Sequence, residues 1–427
     1  MLGDDRPALI CPGSAGARCP GRPCPGASDP GVCGHLGALR AWRARSPEAQ
    51  RAGLLGAEAA FRPSDIPARG RIRVGLWCPC LGLGGAEAWQ LALTRAVDPR
   101  VVSWRGAAVF EGSGTTDRRM VAELSAIMPV GFGLGAARAL AAASDVILSW
   151  AVTDVAAIRA GLADPPRVAM VCHFPGESPW GGGTVDLLAG VDRLVAVSEL
   201  AAEAIPAPLR AGAGIIWNAV DAGRMEVRRD REEMRSSWAV PPGVPVAGYL
   251  GRLSPEKDPD AMIRLAEALP APWHVVLVGE GRERATLAGR IRSLGLDRAR
   301  LAGGDLAAGD VLNAFDALVL PSLYESFGLT LSEGLWAGVP VVATRSGLAK
   351  LAPGLVRPIP VGAGARELAG AVLADRADGP GTRQRVARAR AFARDRLGSD
   401  RFGRQWTDLI IDLARRPPGS GPGGRNP

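Results

Sequence analysis

The chain has 427 residues, of which 47% are hydrophobic and 22% are charged, and these proportions exclude a disordered chain and a coiled coil. No run approaches the roughly 20 apolar residues of a membrane-spanning helix, and the acidic start Met1–Asp5 lacks the apolar core of a secretory signal, so we expect a cytoplasmic protein. The net charge is +8, but the sequence contains no basic patch interleaved with aromatic residues, so we expect no nucleic-acid partner. Peripheral contact with an anionic membrane stays open.

Residues 1–70 are rich in Gly, Pro, Ala and Arg, and we expect a poorly structured extension with at most one helix, at Ala38–Ala60. Four of the seven cysteines crowd this segment: Cys11, Cys19, Cys24 and Cys33. Their spacing matches no common zinc module. The odd total, in a chain without a secretory signal, favours reduced thiols.

From residue 71 the pattern becomes that of an α/β domain. Arg71–Trp77 reads as a strand, Leu81–Gly85 as a glycine-rich turn and Ala86–Val97 as a helix. Short apolar runs then alternate with alanine-rich helical segments, at Asp145–Ser149, Arg167–Val171 and Arg193–Val197. Such runs are typical of buried parallel strands, so we expect a first Rossmann-like domain at 71–235.

A second unit of the same kind follows at 236–385. Its predicted strands are Val246–Leu250, Trp273–Val278, Ala317–Leu320 and Val339–Ala343. We expect C-terminal helices at 386–415 that pack back toward the first domain, and a disordered tail at 416–427. The fold class is therefore α/β, with two Rossmann-like doubly wound domains facing across a cleft, where the carboxyl ends of the strands bind ligands.

The segment from Leu320 to Thr344 carries the strongest signal for function. It reads as a buried strand, a loop with Glu325, a helix with Glu333 and a second buried strand. The backbone amides of Phe327, Gly328 and Leu329 begin the helix and can receive an anion. Carboxylates beside an anion site bind hydroxyl groups, and sugar or ribose hydroxyls are suitable partners.

Glu325-x7-Glu333 in this context resembles the retaining GT-B glycosyltransferases of glycosyltransferase family 4, also called group 1. The resemblance covers roughly residues 71–415. Further matches come in the order of that family: Gly84-Gly85, His173, Trp217–Asp221, the Gly251-Arg252…Lys257 diphosphate clamp, and the glycine turn of Gly279 and Gly281.

The resemblance implies a role for each matching residue. Glu325 would bind the hydroxyls of the transferred sugar and Glu333 those of the ribose. Arg252 and Lys257 would hold the diphosphate, with His173 contacting the donor. The donor side would include Gly251, Gly279, Gly281 and the helix start at Phe327, Gly328 and Leu329. The acceptor side would include Gly84 and Gly85.

The implied reaction moves a hexosyl group, with retention, from a nucleotide sugar such as UDP- or GDP-hexose to a sugar, lipid-linked or other hydroxyl, without metal or cofactor. Lys257 supports this reading independently. Besides Lys350 it is the only lysine in an arginine-rich chain, and a compact ammonium suits a point contact to phosphate.

Alternatives remain at several positions. Asp258-Pro259-Asp260 has the letters of a metal-binding Asp-x-Asp, but Asp258 reads more simply as a helix N-cap. His173 could be a core residue rather than a donor contact, and we expect the neighbouring Cys172 to be an inert buried thiol. His274 and His35 are weak candidates.

Two other functions also stay open: a UDP-sugar 2-epimerase of the same fold, and a non-catalytic sugar-nucleotide-binding protein. The second is suggested by Ser346–Gly354, which lacks the glutamate found in the family's Gly-Gly-x-x-Glu turn.

Overall fold

The computed structural model describes residues 62–63, 70–82, 84–110, 116–150, 155–173, 188, 190–304, 306–345 and 347–415. The predictions for the helix Ala38–Ala60, the four clustered cysteines and the tail at 416–427 lie outside these residues. The described residues form two parallel sheets covered by helices.

The first sheet is built from seven strands in the order β3-β2-β1-β4-β5-β6-β7, all parallel. Strands β4 and β5 are buried along their whole length because helices cover both faces. The elements of this domain are β1 Ile72–Cys78, α1 Gly85–Ala96, β2 Val102–Val109, α2 Arg118–Ser125, β3 Val130–Phe132, α3 Gly133–Ala142, β4 Val146–Trp150, α4 Val155–Arg159, β5 Arg167–Cys172, β6 Arg193–Ala196, α5 Glu199–Ala202, α6 Ala207–Arg210 and β7 Gly214–Ile215.

A 3-10 turn at Ala222–Met225 and helix α7 at Arg231–Ser237 lead into the second sheet, whose order is β10-β9-β8-β11-β12-β13, again parallel. Its elements are β8 Val246–Leu250, a 3-10 turn Pro255–Lys257, α8 Asp260–Ala268, β9 His274–Val278, α9 Arg284–Ser293, β10 Ala299–Ala302, α10 Ala308–Asn313, β11 Ala317–Leu320, α11 Leu329–Ala337, β12 Val341–Thr344, α12 Leu348–Leu351, β13 Arg357–Ile359 and α13 Ala365–Ala377. The predicted fold class, α/β with two Rossmann-like doubly wound domains, is confirmed.

The last two helices connect the domains. Helix α14 (Gly379–Arg396) packs on α11, so the predicted domain boundary at residue 385 falls inside a continuous helix. Helix α15 (Ser399–Arg415) crosses back and packs on α1. There Gly403 lies so close to the Ala96 carbonyl that a Cβ would overlap it, and the ring centroids of Trp406 and Trp89 are 5.3 Å apart.

In each sheet the strand order reverses between two neighbours, β1 and β4 in the first sheet and β8 and β11 in the second. Loops that leave such a switch point in opposite directions open a crevice at the carboxyl edge. Beside this crevice the Ser326 hydroxyl donates to the His173 carbonyl at 2.5 Å, and the Ser198 hydroxyl donates to the Ser326 carbonyl at 2.5 Å. The second-domain loop after β11 is thereby bonded to the first domain.

Among the helices in the described part of the chain, none has both the length and the apolar character needed to cross a bilayer.

Candidate active site

The backbone turns after β8 and β9 lie against each other at the carboxyl edge of the second sheet. The N–H of Gly251 donates to the Val278 carbonyl at 3.1 Å, and the N–H of Leu253 donates to the Glu280 carbonyl at 2.8 Å. Gly279 and Gly281 have φ near +155°, and a Cβ on either would overlap a carbonyl of the β8 turn. The two predicted glycines therefore have a packing reason that needs no ligand.

Lys257 is placed by the short 3-10 turn that follows β8. The N–H of Leu323, after β11, donates to the Glu256 carbonyl at 2.9 Å and ties this turn to the β11 loop. The next residue, Asp258, has a φ of +45° and does not cap α8, which begins at Asp260 with Pro259 before it. The N-cap prediction for Asp258 was wrong, because a left-handed residue cannot take the extended conformation of a cap.

Asp258 instead closes the turn through Arg264. The Arg264 guanidinium donates to the carboxylates of Asp258 at 2.8 Å and Asp260 at 3.0 Å. Both carboxylates of the Asp-x-Asp sequence therefore accept hydrogen bonds from the same guanidinium. Over the ranges that the structure describes, no group of three or more His, Cys, Asp and Glu side chains could share a metal ion.

Lys257 and Glu325 form the central contact of the site. The Lys257 Nζ lies 2.5 Å from Glu325 Oε1, and the buried Ser322 hydroxyl donates to the same oxygen at 3.1 Å. The two charged side chains are 23% and 22% exposed, so they are shielded but reachable from the cleft. A cation and a carboxylate therefore stand side by side at the switch point between β8 and β11.

Arg252 stands at the rim of this pair. Its side chain is 45% exposed, and its Nε lies 3.7 Å from Glu256 Oε1. Burial raises the pKa of Glu256, but the Ser254 hydroxyl at 2.5 Å and the charges of Arg252 and Lys257 outweigh it, so that pKa lies below its ordinary value. Glu256 is therefore an anion that orients Arg252 while leaving most of the guanidinium open to the cleft.

The loop between Glu325 and α11 brings the predicted helix start next to both domains. Gly328, with a φ of +92°, precedes Leu329, the first residue of the helix. The Phe327 side chain is buried, and its ring centroid lies 6.0 Å from that of Trp217 on the first-domain side. Gly347 of the altered turn packs on the Phe327 carbonyl, while the preceding residue of that turn, 346, lies outside the described part.

Glu333 is not in contact with the Lys257 and Glu325 pair. It is buried on α11, and its Oε1 lies 3.7 Å from an Arg224 nitrogen. Burial raises the pKa of Glu333 above its ordinary value against the opposing charge of Arg224. Arg224 and the buried Asn218, whose Oδ1 has no partner among the described residues, line a narrow cleft with Glu333. Neither was a candidate from the sequence, although both lie in or beside the Trp217–Asp221 element.

The glycine pair of the first domain faces this helix. A Cβ on Gly85 would lie 3.5 Å from the Leu329 side chain, so the turn after β1 and the start of α11 meet across the cleft. The Glu87 carboxylate packs against Gly84, where a Cβ would overlap it. The buried Cys80 thiol lies 3.4 Å from Glu87 Oε1. Burial, followed by the Glu87 charge, raises the pKa of the Cys80 thiol. The thiol is therefore protonated.

His173 follows strand β5 of the first domain and packs between two tryptophans. Its ring centroid is 5.1 Å from Trp89 and 5.9 Å from Trp150, in edge-to-face geometry. Burial lowers its pKa to about 3, so the imidazole is neutral. The preceding Cys172 thiol is buried and donates to the Ala201 carbonyl at 3.2 Å.

Buried polar atoms without a partner among the described residues lie near the carboxyl edge of the first sheet. They include the Ser149 hydroxyl oxygen and the His173 Nε2. Buried polar groups are ordinarily hydrogen-bonded. These atoms therefore mark a place where a polar ligand or water would be stabilised, on the side of the cleft opposite Lys257.

Comparison with known proteins gives a family for the second domain. Residues 230–351 match the family model described as glycosyl transferases group 1. Over 185 residues the chain is 36% identical to a D-inositol 3-phosphate glycosyltransferase of Actinosynnema mirum, covering 39% of this chain and 44% of that protein. Over 152 residues it is 34% identical to a GDP-mannose-dependent alpha-mannosyltransferase of Mycolicibacterium smegmatis, covering 36% and 38%. The matches thus span less than half the length of these relatives.

The fold is shared over a longer range. HepE from Anabaena, solved in complex with UDP-glucose, superposes with a TM-score of 0.68 at 20% identity, covering 80% of this chain and all of that one. A sucrose-phosphate synthase from Thermosynechococcus elongatus gives 0.62 at 16% identity, covering 80% and 99%. The chain is a two-domain protein of GT-B fold whose second domain matches the group 1 glycosyl transferases.

Proposed function

We propose that this protein is a retaining glycosyltransferase that moves a hexosyl group from a nucleotide-diphosphate sugar to an acceptor hydroxyl. One observation carries the proposal: within a group 1 domain, Lys257 and Glu325 are paired at 2.5 Å at the switch point of the sheet. A sugar diphosphate presents an anion next to hydroxyl groups, so it matches a cation next to a carboxylate.

The expected roles follow from charge. Lys257 and Arg252 would hold the diphosphate, and their cations would stabilise the charge that develops on the leaving nucleotide. Glu325 would accept hydrogen bonds from sugar hydroxyls. Glu333, buried beside Arg224, would do the same for ribose hydroxyls. In this reaction the leaving phosphate would receive the proton of the acceptor on the face from which it departs.

The first domain would supply the acceptor side. Gly84, Gly85 and the unpartnered Ser149 hydroxyl lie there, opposite the predicted diphosphate clamp. Relatives named for GDP-mannose and a neighbour solved with UDP-glucose support a nucleotide sugar as donor. We propose an acceptor in polysaccharide, glycolipid or glycoconjugate synthesis, on the model of relatives such as the lipopolysaccharide core mannosyltransferase of Rhizobium meliloti.

A donor screen tests the proposal. The purified chain is mixed with UDP- and GDP-hexoses; the donor that raises the unfolding temperature is then assayed for transfer to a panel of acceptors, with the product anomer read by NMR. Lys257→Ala is expected to lower kcat by about 100- to 1000-fold, since it removes a charge aimed at the leaving group. Arg292→Ala, an exposed cation in the last turn of α9, is the matched control and is expected to keep full activity.

Three outcomes would contradict the proposal. Full transfer by Lys257→Ala would remove the clamp assignment. An epimerised sugar nucleotide formed without acceptor would favour the 2-epimerase. Donor binding with no turnover on any acceptor would favour a non-catalytic binding protein.

A further inference from the structure

A cavity of about 610 Å³ lies on the second domain between helix α14 and the turn that joins α11 to β12. Its floor is formed by Gly338 and Pro340. Its wall is one face of α14, which contributes Thr382, Arg383, Val386, Ala387, Arg390, Ala391 and Arg394. Pro340 precedes the first residue of β12, so the cavity opens at the amino edge of the sheet, opposite the Lys257 and Glu325 pair.

The charge of this groove is entirely positive. Arg383, Arg390 and Arg394 are exposed and follow one another at helical spacings of seven and four residues, which places them on one face. No described residue that lines the groove is acidic, and none of the three guanidiniums forms an ion pair with a described carboxylate. By contrast Arg385, on another face of the same helix, pairs with Asp375 at 2.6 Å.

The guanidiniums are held in place although they lack acidic partners. The Arg394 guanidinium lies 3.8 Å from the ring centroid of Trp336, a cation–π contact that fixes its position. The Arg390 side chain passes over Gly338, where a Cβ would lie 3.3 Å from its Cδ. Partial burial, and then the charge of Arg390, lower the pKa of Arg394. Two like charges are thus held close to each other on one face of α14, and an anion bound between them would be attracted by both.

We propose that this groove is a second ligand site, separate from the donor cleft, which binds a small soluble molecule that carries two or more phosphate groups. Guanidiniums bind phosphate in two-pronged fashion, and positions one and two helical turns apart suit several phosphates better than one. The cavity has the volume of small-molecule sites, about 300–1000 Å³, and this size favours a small soluble ligand over a bilayer surface.

Inorganic tripolyphosphate is the probe, titrated calorimetrically into the full chain. The donor cleft also carries a diphosphate clamp, so the design separates the two sites. Arg383→Gln/Arg390→Gln is expected to weaken tripolyphosphate binding at the groove by at least tenfold, from the loss of charge-assisted bonds. Lys257→Ala is expected to leave that binding unchanged.

The control variant is Arg388→Gln, which removes an exposed charge of α14 that does not line the groove. It is expected to bind tripolyphosphate like the wild type. Arg383→Lys/Arg390→Lys, which keeps the charge but loses the two-pronged geometry, is expected to fall between the wild type and the glutamine pair. Circular dichroism checks that each variant is folded.

Two results would overturn the proposal. An equal loss of binding in Arg388→Gln would show attraction by net charge only. Wild-type protein that ignores tripolyphosphate but sediments with phosphatidylglycerol vesicles, in a manner abolished by Arg383→Gln/Arg390→Gln, would make the ligand a lipid headgroup instead of a soluble molecule.

Discussion

His173 gives the sharpest stability prediction because its imidazole is buried without a partner for Nε2 among the described residues. Burial lowers its pKa from 6.5 to about 3. The folded protein therefore resists protonation of this ring, whereas the unfolded chain accepts the proton at its ordinary pKa. The stability that His173 contributes is present above pH 6.5 and is lost as the pH falls below that value.

The size of the loss follows from the two pKa values. Between pH 7.5 and pH 5.0 the unfolded chain gains about 2 kcal/mol from protonating His173, while the folded chain gains almost nothing. This difference stays near 2 kcal/mol even if the folded pKa is one unit higher, because both values lie below pH 5. The prediction therefore does not depend on the last digit of the folded pKa.

The assay compares the wild type with His173→Phe, which keeps an aromatic ring between Trp89 and Trp150 but cannot titrate. Urea unfolding of both proteins is measured at pH 7.5 and pH 5.0. The difference in unfolding free energy between the two proteins is expected to shift by about 2 kcal/mol in favour of His173→Phe at the lower pH. A difference that stays flat, or an NMR titration of His173 with a midpoint near its ordinary value, would refute the buried neutral imidazole.

Two further predictions concern buried and crowded positions. Glu333→Gln is expected to raise the unfolding temperature at pH 7–8, because the pKa of Glu333 is raised in the folded protein and the wild type loses stability as this carboxyl ionises. The advantage should fade as the pH falls toward the ordinary glutamate pKa of 4.5. A scan of melting temperature against pH checks this, and a constant offset between the two proteins would contradict it. Gly279→Ala is expected to lower the free energy of unfolding by more than about 3 kcal/mol, since its Cβ would overlap a carbonyl. Gly289→Ala, in open space on α9, is expected to raise it by up to about 1 kcal/mol. Equal effects of the two substitutions in urea unfolding would contradict the packing argument.

Apart from β2, the sequence predicted the interior strands of both sheets, and it missed those at the edges. β4, β5, β8, β9 and β11 are buried runs of apolar residues, and the pattern identifies them. The strands β3, β7, β10 and β13, which form the four edges, gave no such signal. An edge strand has only one neighbour and less burial, so its residues need not be apolar, as in the Ala-Arg-Leu-Ala of β10. The strand β2 was also missed, because Ser103, Arg105 and Gly106 interrupt its apolar run.

The sequence identified several residues of the candidate site but not which of them lie next to each other. Lys257 and Glu325 are 68 residues apart, and their contact exists because β8 and β11 are neighbours in the sheet. Arg224 was not a candidate, since nothing in its local pattern shows that the chain returns to α11. Local context also misled at Asp258, where the turn requires a left-handed residue and the aspartate takes that conformation beside Arg264. The roles given to these residues remain predictions.

The pairing of Lys257 with Glu325 has a consequence for donor selectivity under the proposed function. A free nucleoside diphosphate would draw the Lys257 ammonium to its phosphates and leave the shielded Glu325 carboxylate with the Ser322 hydroxyl alone, whereas a nucleotide sugar would also bring hydroxyls that bond to this carboxylate. Leaving this partly exposed carboxylate without its cation costs about 1–3 kcal/mol, so the wild type should prefer the nucleotide sugar over the free diphosphate.

Glu325→Gln removes that penalty, because a neutral amide does not need the ammonium. Its affinity for the free diphosphate is expected to stay the same or rise, while its affinity for the nucleotide sugar falls. The preference for the nucleotide sugar over the free diphosphate is therefore expected to decrease by about tenfold. Calorimetry with both ligands measures the ratio, and Glu267→Gln, an exposed carboxylate on α8, serves as the control that should leave it unchanged. If both affinities change by the same factor, the ion pair does not take part in recognising the sugar, and Glu325 acts on the fold of its loop instead.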